Sequence, residues 1–152
     1  MAGLPINHRV RALLLTTRGT LLLLKRVRNG RRPYYVTPGG GVEAHDGSFQ
    51  DALARELDEE MGAEADILQE VFITEYSGSG ALTGYWVQQH YFLCRLRTYD
   101  LTRRSGPEFQ DPSKGEYIPE EFTIGAGYLD AITLDPPELK DFLQQELPKL
   151  VL

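Results

Sequence analysis

The sequence predicts an α/β fold of the α+β kind, in which helices sandwich a mixed β-sheet. Three observations lead there: two apolar runs joined by a glycine turn near the start, a helical period that begins at Ser48, and the order strands, helix, strands, helix. That order does not favour a doubly wound sheet. With 152 residues, 41% hydrophobic and 25% charged, the chain has the size of one domain, so residues 1–152 are read as a single unit with one core.

Each element has its own signal. Arg9 to Thr17 is rich in Val and Leu, and after Arg18-Gly19 the apolar pattern resumes from Thr20 to Arg26, which predicts a β-hairpin feeding a buried sheet. Val27 to Pro33 carries Arg28, Asn29, Gly30, Arg31 and Arg32, a polar basic loop before a short strand at Tyr34 to Thr37. Pro38-Gly39-Gly40-Gly41 is expected to be irregular. From Ser48 onward Phe49, Leu53, Leu57 and Met61 recur every fourth residue, and Gly62 stands where a left-handed C-terminal cap belongs. Ser48 with Asp51 forms a start signal. Asp66 to Tyr76 and Tyr85 to Leu96 read as strands around the turn Ser77-Gly78-Ser79-Gly80. A long polar stretch from Arg97 to Gly115 follows, of the length that often carries function. Tyr117 to Ile124 is a further strand, and Pro136 to Leu147 a terminal helix opened by Asp135 and Pro136-Pro137.

Charge and composition narrow the partners. Acidic residues number 22 against 16 basic ones, for a net charge of -6, which disfavours nucleic-acid polymers and anionic membranes. The single Cys94 lies in the apolar stretch Tyr91-Phe92-Leu93-Cys94 and reads as a buried, inert thiol. There is no signal-like apolar segment at the start, and Leu21 to Leu24 falls far short of the about 20 residues that span a bilayer, so a cytoplasmic location is expected.

The helix carries the chemistry. On a wheel of the Ser48–Gly62 segment, Glu60 falls inside the apolar stripe, Glu56 lies at its edge and Glu59 further round the same side. A buried carboxylate needs a counter-charge, and Arg55 alone does not neutralise three. Glu56 and Glu60 are four apart and Glu56 and Glu59 three apart, so they repel unless a cation lies between them. A solvated acidic face is the ordinary alternative; overlap with the apolar stripe and the glycine run upstream favours a hard divalent cation, Mg²⁺ or Mn²⁺. Gly39, Gly40 and Gly41 lack Cβ atoms and let the backbone approach a ligand or lend a carbonyl to a metal. The loop has no Lys-Ser/Thr ending, which excludes a P-loop.

The stretch Gly40 to Ala63, with Arg55-Glu56-Leu57-Asp58-Glu59-Glu60-Met61-Gly62, resembles the Nudix box G-x5-E-x7-R-E-U-x-E-E-x-G-U, and Pro38-Gly39-Gly40-Gly41-Val42-Glu43 resembles its usual lead-in. The match departs from the pattern at one point. Counting back from Arg55 puts the first Glu at Gly47 and the first Gly at Gly41, whereas counting forward from Gly40 reaches Asp46 with one residue extra before Arg55. An insertion, with Asp46 standing in for the first Glu, keeps the lead-in register. Ala63 is smaller than the usual closing aliphatic.

The resemblance implies a Nudix-type α/β/α sandwich and an enzyme that hydrolyses a nucleoside diphosphate linked to another moiety, by attack of water on phosphorus with Mg²⁺ or Mn²⁺ bound. It implies Glu56, Glu59 and Glu60 as metal ligands, with the carbonyl of Gly40 and with Asp46 at the first-Glu position, and Arg55 as the residue that orients the carboxylates. The general base is expected to be Glu56 or a downstream carboxylate, Glu108 or Glu116. Lys25, Arg26, Arg28, Arg31 and Arg32, the densest basic cluster, suit substrate phosphates as well as a solvated hairpin end. Tyr34, Tyr35, Tyr76, Tyr85 and Trp86 read as sheet packing before base stacking. His8, His45 and His90 lack zinc spacing, and only His45 lies in the box loop. Some subgroups carry a proline or tyrosine beyond the box where this sequence has Gly78 to Ala81, so the attached moiety stays open. The partner expected is a small nucleoside diphosphate derivative, and a homodimer matches many relatives. The alternative is a Nudix-fold regulatory domain that binds a nucleotide without cleaving it.

Overall fold

Alternation along the first strand divides the interior. In β1 (Ile6–Leu15), Val10, Ala12 and Leu14 join one apolar cluster and Leu13 another; in β2 (Thr20–Val27), Leu22 and Leu24 join the first, Leu21 and Leu23 the second. The unbroken run Leu21 to Leu24 thus reflects a strand covered on both faces. The computed structural model describes residues 3–151. Further elements are β3 (Tyr34–Val36), β4 (Gly39–Gly41), α1 (Phe49–Met61), β5 (Glu64–Ser77), β6 (Trp86–Thr98), β7 (Glu116–Thr123), α2 (Pro137–Gln145) and α3 (Leu147–Val151).

The seven strands of the described residues form one mixed sheet with the path β3-β2-β1-β6-β5, with β4 on β1 and β7 on β2. β1 runs parallel to β6 along its whole length and antiparallel to β2 and β4. The registers of β1 explain the cleft. β1 and β2 pair at Leu14–Leu22 and Leu15–Leu21, then part; β4 takes over on β1 at Arg9–Arg11 and β3 takes over on β2 at Leu24–Arg26. The strands diverge, and a groove opens between them.

Helix α1 covers one face with Ala52, Leu53, Leu57 and Met61, while α2 and α3 cover the other with Leu139, Leu143 and Leu147. The single core expected from chain length is therefore two apolar layers divided by the sheet, the α/β/α sandwich. The caps of α1 follow the sequence: Ser48 Oγ accepts from the Asp51 amide at 3.0 Å, and Gly62 sits at φ 57 with its N–H on the Asp58 carbonyl. A side chain at Gly62 would also meet the Asp100 carbonyl.

Two expectations are corrected. Gly39 to Gly41 is not irregular but a short strand, in register Arg9↔Gly41 and Arg11↔Gly39, because β1 has unpaired backbone groups where β2 leaves it. The terminal helix starts at Pro137 without an Asp135 cap and breaks at Glu146, since Pro148 has no N–H to continue the ladder into α3. Cys94 is fully buried, and burial pushes its thiol up to about 12, as an inert core residue requires. No helix among the described residues is long and apolar enough to cross a membrane.

Candidate active site

The last two turns of α1 meet β4 at the mouth of the groove. Glu60 is only 5% exposed, and its Oε1 accepts the backbone N–H of Gly39 at 2.6 Å. Burial pushes this carboxyl up to about 8, against the opposing pull of Arg11 and the Gly39 amide. Glu56 lies over Gly40: a Cβ there would stand 2.5 Å from Glu56 Oε1, so only glycine leaves room for the carboxylate. Burial also raises the Glu56 carboxyl, with Arg55 acting in the opposite sense. Glu59 is further out at the rim, its side chain 34% exposed.

Arg55 ties helix to loop. Its Nε and Nη2 donate to Asp46 Oδ1 at 3.0 Å and Oδ2 at 2.9 Å, and Nη2 also donates to the Gly41 carbonyl at 3.0 Å. Its Nη1 reaches Glu56 Oε1 at 3.1 Å and Glu59 Oε2 at 3.3 Å. The bidentate bond from Arg55 holds Asp46 down at about 2, helped by the Glu43 amide at 2.7 Å. Asp46, expected with the metal ligands, has both oxygens engaged by Arg55 and lies outside the cleft lining.

The cleft has a volume of about 640 Å³. It brings Glu56 and Glu60, above Gly39 to Gly41, together with Arg26 and Glu108 from the sequence candidates. Lys25 is not among its lining residues, because strand alternation puts Arg26 on the side of Leu22 and Leu24 and Lys25 on the side of Leu21 and Leu23. Glu116 is exposed, its neighbour Tyr117 lining the cleft in its place. Arg28 lies outside, and Arg31 and Arg32 line an adjoining pocket. Of the aromatics, Tyr34 borders the cleft, Tyr35 is core and bonded to Glu120, and Trp86 donates to Glu75 at 3.3 Å. His8 and His90 pack on Phe49 and touch each other at 3.1 Å, away from the cleft lining.

Several cleft residues escaped sequence reasoning. Arg9 and Arg11 line it from β1, with Arg11 Nε on Gln89 Oε1 at 2.6 Å and Nη1 on the Thr37 carbonyl at 3.1 Å. Two arginines two apart inside an apolar strand were the available signal. Arg104 was also missed: its Nε donates to the Glu60 carbonyl at 2.7 Å and its Nη2 to the Tyr117 carbonyl at 2.5 Å, joining the end of α1 to β7. Asp111 and Lys114 complete the wall.

Among the described residues no carboxylates already converge into a metal cage. Arg55 lies between Glu56 and Glu59 and shares them. The donor set nonetheless fits a hard divalent cation: oxygen atoms only, a buried Glu60 without full charge compensation, and a side-chain-free strand beneath Glu56.

The comparisons agree with this geometry. The NUDIX domain model matches residues 6–124, which hold all seven strands and α1. No curated protein matches the sequence significantly. A NUDIX hydrolase from Nitrosomonas europaea is similar with a TM-score of 0.67 at 20% identity, over 95% of this chain and 90% of that one. The MutT protein from Methanosarcina mazei Go1 is similar with a TM-score of 0.61 at 24% identity, over 100% of both. A UDP-X diphosphatase is similar with a TM-score of 0.65 at 17% identity, over 99% of this chain and 66% of that one. At these identities the solved structures speak for the fold, and the family model for membership. The chain belongs to the Nudix family and is a hydrolase acting on pyrophosphate bonds.

Proposed function

We propose that the chain is a divalent-metal-dependent pyrophosphohydrolase that cleaves a nucleoside diphosphate linked to a second moiety. The observation that carries this reading is the meeting, in one cleft, of the Glu56 and Glu60 carboxylates with the guanidinium groups of Arg9, Arg11 and Arg26. Carboxylates supply a cation site and arginines supply phosphate donors, and a diphosphate ester needs both. Glu56, Glu59, Glu60 and the Gly40 carbonyl would hold Mg²⁺ or Mn²⁺, which neutralises phosphate charge and lowers the pKa of the attacking water.

The chain's own groups do the rest. Arg55 aims Glu56 and Glu59 through its Nη1, and the Gly39 amide fixes Glu60. Arg9, Arg11 and Arg26 bind the phosphates. Of the three candidate bases, Glu56 and Glu108 line the cleft and Glu116 does not, which supports one of the first two as the group that takes a proton from water. The change at the first box Glu does not favour the non-catalytic reading, since Asp46 meets Arg55 with both oxygens.

The test is hydrolysis of nucleoside triphosphates, nucleotide sugars, ADP-ribose and dinucleoside polyphosphates with Mg²⁺, Mn²⁺ or EDTA, products separated chromatographically. Cleavage at a diphosphate that EDTA abolishes is expected. A nucleotide that raises the melting temperature and is not cleaved would overturn catalysis in favour of a binding domain.

A further inference from the structure

The cations of this acidic chain are unevenly paired. Arg18, Arg55, Arg97, Arg103 and Lys149 hold carboxylates within 4 Å, all at positions outside the cleft lining. Among the described residues Arg31 and Arg32 have neither a carboxylate partner nor a side-chain hydrogen bond, although acidic residues outnumber basic ones 22 to 16. Two adjacent exposed guanidinium groups offer an anion two forks of N–H donors and a double positive charge.

They stand at a formed pocket. A hollow of about 470 Å³ adjoins the cleft, with Tyr34 and Asp135 on the boundary of both. Its floor is held by backbone bonds, Tyr35 N–H to the Thr133 carbonyl at 2.8 Å and Asp135 N–H to the Tyr35 carbonyl at 2.9 Å. Leu134 in that floor is 3% exposed, and the Arg31 guanidinium lies 4.8 Å from the centre of the Tyr34 ring. The pocket thus offers apolar contact from Pro33, Leu134 and Pro137 beside a double positive charge. Asp135 on the shared edge repels an anion there, which favours the arginine side.

We infer that this pocket is a second anion subsite, and that the substrate carries a further phosphate outside the scissile diphosphate, bound by Arg31 and Arg32. The inference rests on the hydrolase reading above for the position of the scissile bond. A phosphate suits the pair better than a carboxylate, because a ribose phosphomonoester offers three oxygens and up to two charges, and a phosphate within the chain offers two non-bridging oxygens beside further charged phosphates, enough to meet two guanidinium forks. The phosphate can extend the phosphoanhydride chain or be esterified to a ribose, and the subsite chemistry is the same.

The test compares a dinucleoside diphosphate with two relatives, a dinucleoside tetraphosphate and the diphosphate bearing a ribose 2′-phosphate. For one of these the wild type is expected to show a preference of about tenfold or more in kcat/KM and, by calorimetry in EDTA, in affinity. Arg31→Ala with Arg32→Ala should bring that preference close to unity, Arg31→Lys with Arg32→Lys should retain part of it, and Arg97→Ala on another surface should keep it whole. Which relative is preferred tells chain phosphate from ribose phosphate. The subsite is overturned if the wild type distinguishes neither relative in either assay, or if the preference survives the double alanine change. A binding preference lost in that variant without any hydrolysis would sustain the subsite and sink the hydrolase reading; hydrolysis without preference would do the reverse.

Discussion

Gly39 and Glu60, twenty-one residues apart, are joined by a hydrogen bond of 2.6 Å from a strand amide to a buried carboxylate. The bond locks the inner face of the helix to β4 and keeps the carboxylate at the floor of the cleft. It does not fully offset the cost of burial, so Glu60 favours its proton in the metal-free protein.

That balance predicts a pH dependence. The native carboxyl titrates at about 8 and the unfolded one near the ordinary 4.5. The native state therefore holds its proton more tightly; the resulting stability is present in full below 4.5 and is lost as pH rises through 8. Glu60→Gln is expected to raise the melting temperature of the metal-free protein at pH 9 by about 2–4 °C or more per kcal/mol recovered. The same variant should lose about two orders of magnitude or more in turnover. Thermal scans across pH with EDTA, and rates with Mg²⁺, read both effects; unchanged turnover would remove Glu60 from the site.

Asp46 behaves oppositely. Its native carboxyl lies near 2 because Arg55 grips it, so its contribution is present above the ordinary 3.8 and is lost as pH falls through 2. Asp46→Asn should lower the melting temperature at pH 7 and flatten the acid limb of the stability curve. Turnover should fall through disordering of Arg55, and Asp46→Glu should restore part of it. Acid unfolding monitored by circular dichroism separates these outcomes from a surface role.

Gly40→Ala is expected to displace Glu56, since the added methyl would stand 2.5 Å from its carboxylate. A loss of about 10- to 100-fold in apparent metal affinity or rate follows, with a folded protein by circular dichroism. Wild-type kinetics in this variant would show that Glu56 does not need the glycine strand.

Arg104→Ala leaves the Glu60 and Tyr117 carbonyls without their donor, and removes a guanidinium 4.5 Å from the centre of the Phe109 ring. A destabilisation of about 1–3 kcal/mol is expected, because two half-buried acceptors lose a charged donor. As Arg104 positions the end of α1, kcat should fall more than KM changes. Arg104→Lys should recover one bond and part of the rate; a stability loss with intact kcat would make it purely structural.

His8 adds a second pH effect. Burial, and then the charge of His90, lower its pKa below the ordinary 6.5. The native state thus prefers it neutral, and stability present above 6.5 is lost as pH falls through the native value. His8→Gln should reduce the loss of melting temperature between pH 7 and pH 5, measured by calorimetry.

Local signals were enough for the helix and its carboxylates. Ser48, Gly62 and the four-residue period of Phe49, Leu53, Leu57 and Met61 are effects of neighbours along the chain, and so was the placement of Glu60 inside the apolar stripe. Strand pairing is not local. That Gly39 to Gly41 is a strand depends on β2 leaving β1 after Leu14–Leu22, which no window of residues contains. The arginines show the same division. The basic density of residues 25–32 was plain, but selection of Arg26, the entry of Arg9 and Arg11 into the cleft, and the placing of Arg104 on the Glu60 carbonyl depended on faces and distances set by the sheet.

The sequence by itself determined the family motif, the helix that bears it and the kind of atom offered to a cation, because these follow from residue type and spacing along a single helix. Only the tertiary structure decided that Asp46 serves Arg55, which arginines reach the cleft, and that Arg31 and Arg32 face a separate hollow. Those outcomes depend on where β1 and β2 part, and long-range strand register, once chosen, turns every second side chain toward or away from the site.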